Sequence, residues 1–269
     1  MIFNQEEVIK LCEELGIEVV EGNVPLMNGK PLSEDFKIFK EDEIIMKGRI
    51  ITFEGLDGSF KETNAKKLHE YLTNKGIKCN LVSFPRYDNE ASVFVRRFLY
   101  GEYGDLKKIS PYTIMHFYAL DRFDYIQKNN VYKKLEEGEW FIFDRYVESN
   151  IIYQSALYDT QIEKDLIIED ILELEYRQLS LPEPDITLAM YSDYDLVQNI
   201  LDERVKKDIY ESNNECLKKV FENYDVLINR FDWSRINVIR YDDIKDEYSF
   251  KSEEEIFNDI IKTLENKIL

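Results

Sequence analysis

The stretch RIITFEGLDGSFKET, residues 49–63, places an apolar segment directly before a glycine-rich turn and the start of a helix. This pattern predicts a strand over Arg49–Phe53 and a helix over Lys61–Asn74, which is the context of a phosphate-binding loop. In such a loop, glycines let backbone N–H groups turn towards phosphate oxygens, and the helix N-terminus favours negative charge. Gly55, Gly58 and Lys61 occupy the positions that this chemistry requires.

Two residues of the loop depart from the pattern GxxxxGK[ST]. Phe60 replaces the last glycine, where we expect its side chain to crowd the phosphates and its backbone to resist the required dihedral angles. Glu62 replaces the hydroxyl residue that normally ligates Mg²⁺, and Thr63 stands one position further on as a substitute. The two changes predict weakened ATP binding and leave open a loop without activity.

Short apolar segments alternate with helical patterns from Gly48 onward. This alternation predicts βαβ units and a doubly wound, parallel five-stranded sheet covered by helices, forming one α/β domain over residues 48–269. The predicted strands are Arg49–Phe53, Lys78–Phe84, Trp140–Phe143, Ile186–Met190 and Asn237–Arg240. The predicted helices are Lys61–Asn74, Glu90–Tyr100, Pro111–Glu137, Lys164–Leu179, Asp195–Arg204, Asn214–Asn229 and Glu253–Lys267.

Residues 1–47 have a different pattern and are predicted to form a small α+β appendage. We expect a helix from Gln5 to Leu15, a strand near Ile17–Val20 and a hairpin whose two-residue turn is Asn28-Gly29. No chemistry is apparent in this acidic segment, so a packing appendage or a dimer contact is favoured over a second active site.

Composition narrows the functional classes. A formal charge of -19 should repel nucleic-acid phosphates, whereas a free nucleotide in a pocket remains compatible with it. The three cysteines are widely spaced and form no CxxC, which indicates reduced thiols rather than disulfides or a thiolate metal site. No stretch approaches the roughly 20 apolar residues of a membrane span. We therefore expect a cytoplasmic protein without nucleic-acid or membrane partners.

Polar residues follow several predicted strands. Arg86 lies in FPRY after the second strand, and Asp144 and Arg145 begin DRYVESN after the third, at the sheet edge where open α/β folds bind ligands. Tyr118 and Arg122 are four apart and share a helix face that suits a planar base, although a core tyrosine with a surface arginine gives the same spacing. The basic cluster within residues 202–211 is typical of a mobile lid, or of a solvated helix end.

Taken in order, FEGLDGSFKET, FPRY, ALDR, DRYVESN with YQ, LPEPD and KKDIYE strongly resemble the thymidylate kinase family from Gly48 to about Asp243. The resemblance implies a P-loop nucleoside monophosphate kinase fold and usually a homodimer. It also implies transfer of the γ-phosphate of ATP to thymidine monophosphate (dTMP) with Mg²⁺, a step of nucleotide biosynthesis.

The same resemblance implies roles for individual residues. The expected contacts to the ATP phosphates are Gly55, Gly58, Ser59, Lys61 and Thr63. The expected dTMP-binding residues are Asp57, Phe84, Arg86, Tyr118, Arg122, Arg145, Tyr146, Ser149, Asn150, Tyr153 and Tyr210. The expected catalytic residues are Lys61, Asp57, Arg145, Arg204, Lys206 and Lys207, and the expected metal-binding residues are Asp57, Asp144 and Glu211.

Three functional hypotheses remain open at this stage. The first is an active dTMP kinase. The second is a nucleotide-binding or scaffold protein that keeps the monophosphate pocket while Phe60 excludes ATP. The third is a kinase for a 5-modified deoxyuridylate, because the sequence does not define the volume around the 5-position of the base.

Overall fold

The structure is a computed structural model that describes residues 2–4, 26–27, 30–31, 36–39, 43–203, 208–242 and 247–268. The first strands along the chain are short: β1 (Ile2–Asn4), β2 (Leu26–Met27), β3 (Lys30–Pro31), β4 (Phe36–Phe39) and β5 (Glu43–Met46). Strands β1, β5 and β4 form an antiparallel sheet that the sequence did not predict, and β2 pairs with β3.

The pairing of β2 with β3 brackets the predicted hairpin turn, since Met27 lies opposite Lys30. The turn residues themselves, the predicted helix from Gln5 to Leu15 and the predicted strand near Ile17–Val20 lie outside the described residues. The boundary between residues 1–47 and 48–269 stays a prediction.

The main sheet confirms the predicted fold class. Its strands are β6 (Ile50–Glu54), β7 (Cys79–Ser83), β8 (Trp140–Asp144), β9 (Ile186–Tyr191) and β10 (Ser234–Asn237). Every pairing between them is parallel, in the order β10-β9-β6-β8-β7. The chain leaves β6 towards one side of the sheet and leaves β8 towards the other, so a crevice forms where these two strands end.

Successive residues of the central strands point to opposite faces of the sheet and supply two cores. Phe141 and Phe143 belong to one apolar cluster, whereas Ile142 belongs to the other. Burial on both faces explains why these strands are continuous apolar runs in the sequence.

Nine α-helices are present in the described part of the chain, and none combines the length with the apolar character that a membrane-spanning helix requires. They are α1 (Lys61–Asn74), α2 (Val93–Leu99), α3 (Pro111–Lys128), α4 (Val131–Glu136), α5 (Val147–Ser155), α6 (Gln161–Leu172), α7 (Tyr194–Asp202), α8 (Asn214–Arg230) and α9 (Glu253–Lys267). The bounds predicted for α1 and α9 are confirmed.

The predicted fifth strand at Asn237–Arg240 is placed too late. The sheet strand is β10, a mostly polar strand at the sheet edge, whereas β11 (Ile239–Asp242) pairs antiparallel with β12 (Glu247–Phe250). An edge strand lacks the long apolar run of a central strand, and the apolar pair Val238 and Ile239 suggested the later position.

Two helix predictions also need correction, and one further helix was not predicted. The predicted helix over Pro111–Glu137 is interrupted between α3 and α4, where Asn130 adopts a left-handed conformation with φ of 51°. The predicted helix over Lys164–Leu179 begins earlier, at Gln161, because Thr160 caps it, and ends in a π-helical turn over Glu173–Gln178. Helix α5 was not predicted, because buried polar residues obscure its apolar face.

Gly48 gives a direct test of how β6 enters the sheet. A Cβ atom at Gly48 would lie 1.9 Å from the backbone oxygen of Glu139, so we expect Gly48→Ala to lower the free energy of unfolding by roughly 3 kcal/mol through overpacking. The control is Gly76→Ala, which meets no atom within 4 Å and carries only the strain of a positive φ of 80°, about 1 kcal/mol.

Urea unfolding of both variants measures this difference. Equal losses of stability would show that β6 does not pass as close to Glu139 as the fold requires.

Candidate active site

A cavity of about 440 Å³ lies at the carboxyl edge of the main sheet, beside the ends of β6, β7 and β8. Twelve of the predicted site residues contribute to its wall. They are Asp57, Gly58, Lys61, Thr63, Phe84, Tyr118, Asp144, Arg145, Ser149, Asn150, Tyr153 and Tyr210. Segments that are far apart in the chain therefore meet around one space.

The phosphate loop connects β6 to α1 and holds its two unusual residues in well-defined positions. Phe60 adopts the left-handed conformation that glycine normally supplies, with φ of 62°. Its ring packs edge-on against Phe250 of β12, with 5.2 Å between centroids. Phe60 thus adopts the backbone geometry that was expected to exclude a side chain. The cost is roughly 1–2 kcal/mol, and the aromatic contact offsets part of it.

Glu62, the second unusual residue, also contributes to the cavity wall. Its exposed carboxylate forms an ion pair with Lys66 at 2.5 Å. The neighbouring lysine therefore neutralises part of the negative charge that Glu62 brings to the loop.

Lys61 is buried and bound to its own loop. Its Nζ atom donates to the carbonyl oxygen of Leu56 at 2.7 Å and lies 3.6 Å from a carboxylate oxygen of Asp57. Burial, reinforced by the nearby charge of Arg145, lowers the pKa of Lys61 to about 8. The amine is still mostly protonated at pH 7.

Arg145 provides the second positive charge of the cavity. Its backbone has a positive φ of 68°, and its Nη2 atom donates to Oδ1 of Asp57 at 2.7 Å. The guanidinium also lies over the Tyr153 ring, 5.5 Å from its centroid. A planar fork held this way suits two oxygens of a phosphate group.

Glu54 was not among the predicted site residues. Its carboxylate is fully buried and accepts hydrogen bonds from the Tyr146 backbone N–H at 2.7 Å and from Ser149 Oγ at 2.6 Å. Burial raises its pKa, although the Arg145 charge opposes the shift. The only sequence signal is an acid at the end of a largely apolar strand.

Aromatic and amide side chains form another part of the cavity wall. The rings of Tyr153 and Tyr210 meet edge-on at 5.0 Å, and Tyr118 completes this aromatic wall. The Asn150 amide donates to the Met115 carbonyl oxygen at 3.0 Å and to a Glu175 carboxylate oxygen at 2.8 Å. This part of the cavity can stack a flat ring and bind its polar edge.

Arg122 and Arg86 do not line the cavity. Arg122 is buried and donates from Nε and Nη2 to the two carboxylate oxygens of Glu175, both at 2.6 Å. Arg86 donates from Nε to Asp121 at 2.9 Å and from Nη2 to Asp124 at 2.8 Å. In both cases the guanidinium is bound by carboxylates that come from helical segments.

Other predicted residues support the cavity from outside its wall or lie elsewhere. The Tyr146 ring is buried and stacks on the Phe143 ring, with 4.8 Å between their centroids. Gly55 and Ser59 shape the turn of the phosphate loop. Glu211 lines an adjacent cavity that shares Asp57 and Asp208 with the first. Arg204, Lys206 and Lys207 lie outside the described residues.

Two predicted metal-binding residues, Asp57 and Asp144, line the cavity. Asp144 accepts from Ser83 Oγ through Oδ2 at 2.9 Å, and its buried Oδ1 has no hydrogen-bond partner among the described residues. No group of three or more His, Cys, Asp or Glu residues gathers around a point in this part of the chain. The residues therefore fit a hard cation held by a carboxylate together with ligand oxygens, as Mg²⁺ prefers.

A family model and individual known proteins all indicate the same family. The family model for thymidylate kinase matches residues 53–247. The chain is 28% identical over 216 residues to a thymidylate kinase of Plasmodium falciparum, covering 80% of this chain and 89% of that protein. It is 30% identical over 189 residues to a thymidylate kinase of Thermoanaerobacter sp., covering 69% and 86%.

Among solved structures, a thymidylate kinase from Candida albicans superposes with a TM-score of 0.60. The match covers 82% of this chain and 92% of that chain at 20% identity, so it shows the fold alone.

The lowered pKa of Lys61 predicts how anion binding depends on pH. Below about pH 8 the Lys61 amine is charged and can pair with an anion directly. Above pH 8 the neutral amine must first take up a proton, which weakens anion binding. We expect the affinity for inorganic pyrophosphate to fall between pH 7 and pH 9, by up to about tenfold per pH unit above 8.

Titration calorimetry of the wild type and of Lys61→Met measures this effect. The variant lacks the titrating amine and should bind weakly at both pH values, so it corrects for the changing charge of pyrophosphate. If the pyrophosphate affinity of the wild type changes with pH in the same way as that of the variant, Lys61 does not bind the anion.

Proposed function

The chain belongs to the thymidylate kinase family, and from this premise we propose that it transfers the γ-phosphate of ATP to thymidine monophosphate. The observation that carries the proposal is the shared cavity. Lys61 of the phosphate loop, Arg145 after β8 and the aromatic wall of Tyr118 and Tyr153 all border the same space. A nucleoside monophosphate needs a site in which one end binds the phosphate and the other end stacks on the base.

The acceptor would lie with its phosphate at Arg145 and its base beside Tyr118. Arg145 already binds a carboxylate, Asp57 Oδ1, and a phosphate oxygen can replace that anionic partner. Tyr153 lies beneath the guanidinium and would pack against the deoxyribose. The monophosphate would then be positioned for attack on the donor without a covalent enzyme intermediate.

The donor phosphates would lie on the phosphate loop, where the N-terminus of α1 favours negative charge. Lys61 would exchange its contact with the Leu56 carbonyl for the β- and γ-phosphates. Thr63 and Gly58 also line the cavity, whereas Gly55 and Ser59 shape the loop. On the resemblance to the family, Arg204, Lys206 and Lys207 would supply further positive charge to the γ-phosphate.

Mg²⁺ would be held by the free oxygen of Asp144, directly or through water, with Asp57 nearby. When bound, the ion would neutralise charge on the donor phosphates. Glu211 could join this set only from the adjacent cavity. We further propose a cytosolic homodimer, on the resemblance to the family.

A second candidate function rests on Phe60. Phe60 lines the cavity at the point where the family pattern has glycine, and Glu62 adds a carboxylate beside it. A protein that binds the monophosphate but excludes ATP would keep every acceptor-side contact described above. A kinase for a 5-modified deoxyuridylate is the corresponding alternative within enzymes.

A coupled assay of ADP release with Mg²⁺, ATP and a panel of deoxynucleoside monophosphates tests the proposal. We expect dTMP to stimulate ADP release more than the other acceptors. A 5-modified deoxyuridylate that exceeds dTMP would identify the third function.

Calorimetry with dTMP and with ATP separates the remaining alternatives. Binding of dTMP without ATP binding and without ADP release would establish the non-catalytic protein. Absence of both binding and turnover with every acceptor would contradict the kinase proposal.

Phe60→Gly tests the cost of the unusual loop residue. The change removes the side chain of a residue that lines the cavity and relieves the left-handed strain, so we expect ATP to bind roughly threefold to tenfold more tightly. The control is Phe250→Ala, which removes the partner ring but leaves Phe60 in the loop. Unchanged or weaker ATP affinity in Phe60→Gly would show that the ring does not obstruct the donor.

A further inference from the structure

Phe60 lies at the border between the candidate active site and an apolar core. It contributes to the cavity wall next to Lys61. It also packs against the apolar cluster that contains Ile142, on the opposite sheet face from the cluster that contains Phe143. Aromatic side chains occupy a small number of staggered positions, so the contacts available to the Phe60 ring decide whether it lies in the cluster or in the cavity.

Phe250 of β12 is the residue that meets this ring. The two ring centroids are 5.2 Å apart with an interplanar angle of 80°, which is the edge-to-face arrangement that aromatic pairs prefer. Phe250 packs against the same cluster as Phe60 but does not line the cavity. It therefore contacts the phosphate loop from the side of the core, away from any bound ligand.

The position of Phe250 is fixed by the elements around it. The backbone N–H of the next residue, Lys251, donates to the Val238 carbonyl oxygen at 2.9 Å. Helix α9 begins directly after this point, and its Ile256 is fully buried in the same cluster as Leu68 of α1. The hairpin of β11 and β12 cannot move away from the phosphate loop without opening this close-packed core.

We propose that Phe250 is a positioning residue for the donor site, because its ring holds the Phe60 ring in the apolar cluster and out of the space for the donor phosphates. This inference rests on the proposed function and deepens it. A glycine at position 60 would need no such partner. The hairpin of β11 and β12 thus compensates for a side chain where the phosphate loop pattern has none, and it makes the C-terminal part of the chain a determinant of ATP affinity.

Phe250→Ala tests the positioning role. Without its partner, the Phe60 ring gains access to other side-chain positions, including those directed towards the cavity. We expect ATP affinity, measured by titration calorimetry, to fall roughly threefold to tenfold. The affinity for dTMP should not change, because its proposed contacts are Arg145 and Tyr118. A general loss of folded structure would lower both affinities together and would contradict the proposal.

The double variant Phe60→Gly/Phe250→Ala separates positioning from other effects of the hairpin. It has no ring at position 60 to be held, so it should bind ATP as tightly as Phe60→Gly alone. The four proteins form a double-mutant cycle that isolates the coupling between the two rings. If Phe250→Ala weakens ATP binding equally with and without Phe60, the hairpin acts by another route and the proposal is wrong.

Phe257→Ala is the matched control. Phe257 packs against the same apolar cluster, and its ring meets the Tyr71 ring edge-on with 5.9 Å between centroids. It does not line the cavity. Its substitution removes the same ring from the same core and should leave ATP affinity unchanged. An equal fall in Phe257→Ala and Phe250→Ala would assign the effect to core packing and overturn the positioning role.

Phe250→Leu keeps the test valid if Phe250→Ala fails to fold. Leucine still fills the apolar cluster but lacks the aromatic edge that meets Phe60. We expect ATP affinity to fall by about threefold in this variant. A folded Phe250→Ala or Phe250→Leu protein that binds ATP as tightly as the wild type would overturn the proposal.

The wild-type measurements separate this inference from the proposed function. ATP binding that depends on Phe250, without ADP release for any acceptor, would contradict the proposed function and support the inference. ATP binding and ADP release that the Phe250 variants do not alter would overturn the inference alone. ATP binding by Phe60→Gly but not by the wild type would show that Phe250 does not hold the ring clear, and would also overturn it.

Discussion

The buried carboxylate of Glu54 holds the candidate site together. It ends the central strand β6, and it ties the backbone of Tyr146 and the hydroxyl of Ser149 to the start of the phosphate loop. The turn between them gives Arg145 its positive φ and directs its guanidinium to Asp57. An unpaired carboxylate at this buried position would be very costly, so Glu54 has to keep both hydrogen bonds. Both phosphate-binding segments therefore depend on this one acid.

Local pairing explains how an acidic chain can present an anion site. The whole protein carries a formal charge of -19, yet Lys61 and Arg145 lie together in the cavity wall. Behind the wall, Glu175 binds Arg122 and orients Asn150. Positive groups therefore face the space, while several of the acids act as acceptors that fix the side chains in contact with it. The same arrangement links phosphate binding to the packing of α5.

The sequence predicts those parts of the molecule whose signal is local. Central strands are apolar runs, and the loop before α1 is a spaced set of glycines and a lysine. Helix α5 escaped prediction because Gln154 and other polar residues on it are buried and bonded to distant segments. Likewise, Arg122 meets Glu175 across 53 positions of the chain, and the ring that packs against Phe60 comes from Phe250. Partners of this kind become visible only when the chain is folded.

The central claim is that one cavity at the carboxyl edge of the sheet binds a pyrimidine nucleoside monophosphate. A crystal structure of the protein grown with thymidine monophosphate tests it most directly. The account predicts the phosphate at Arg145 and the base beside Tyr118. Nucleotide density outside the cavity, with Tyr118 and Arg145 both free of contact to it, would contradict the account.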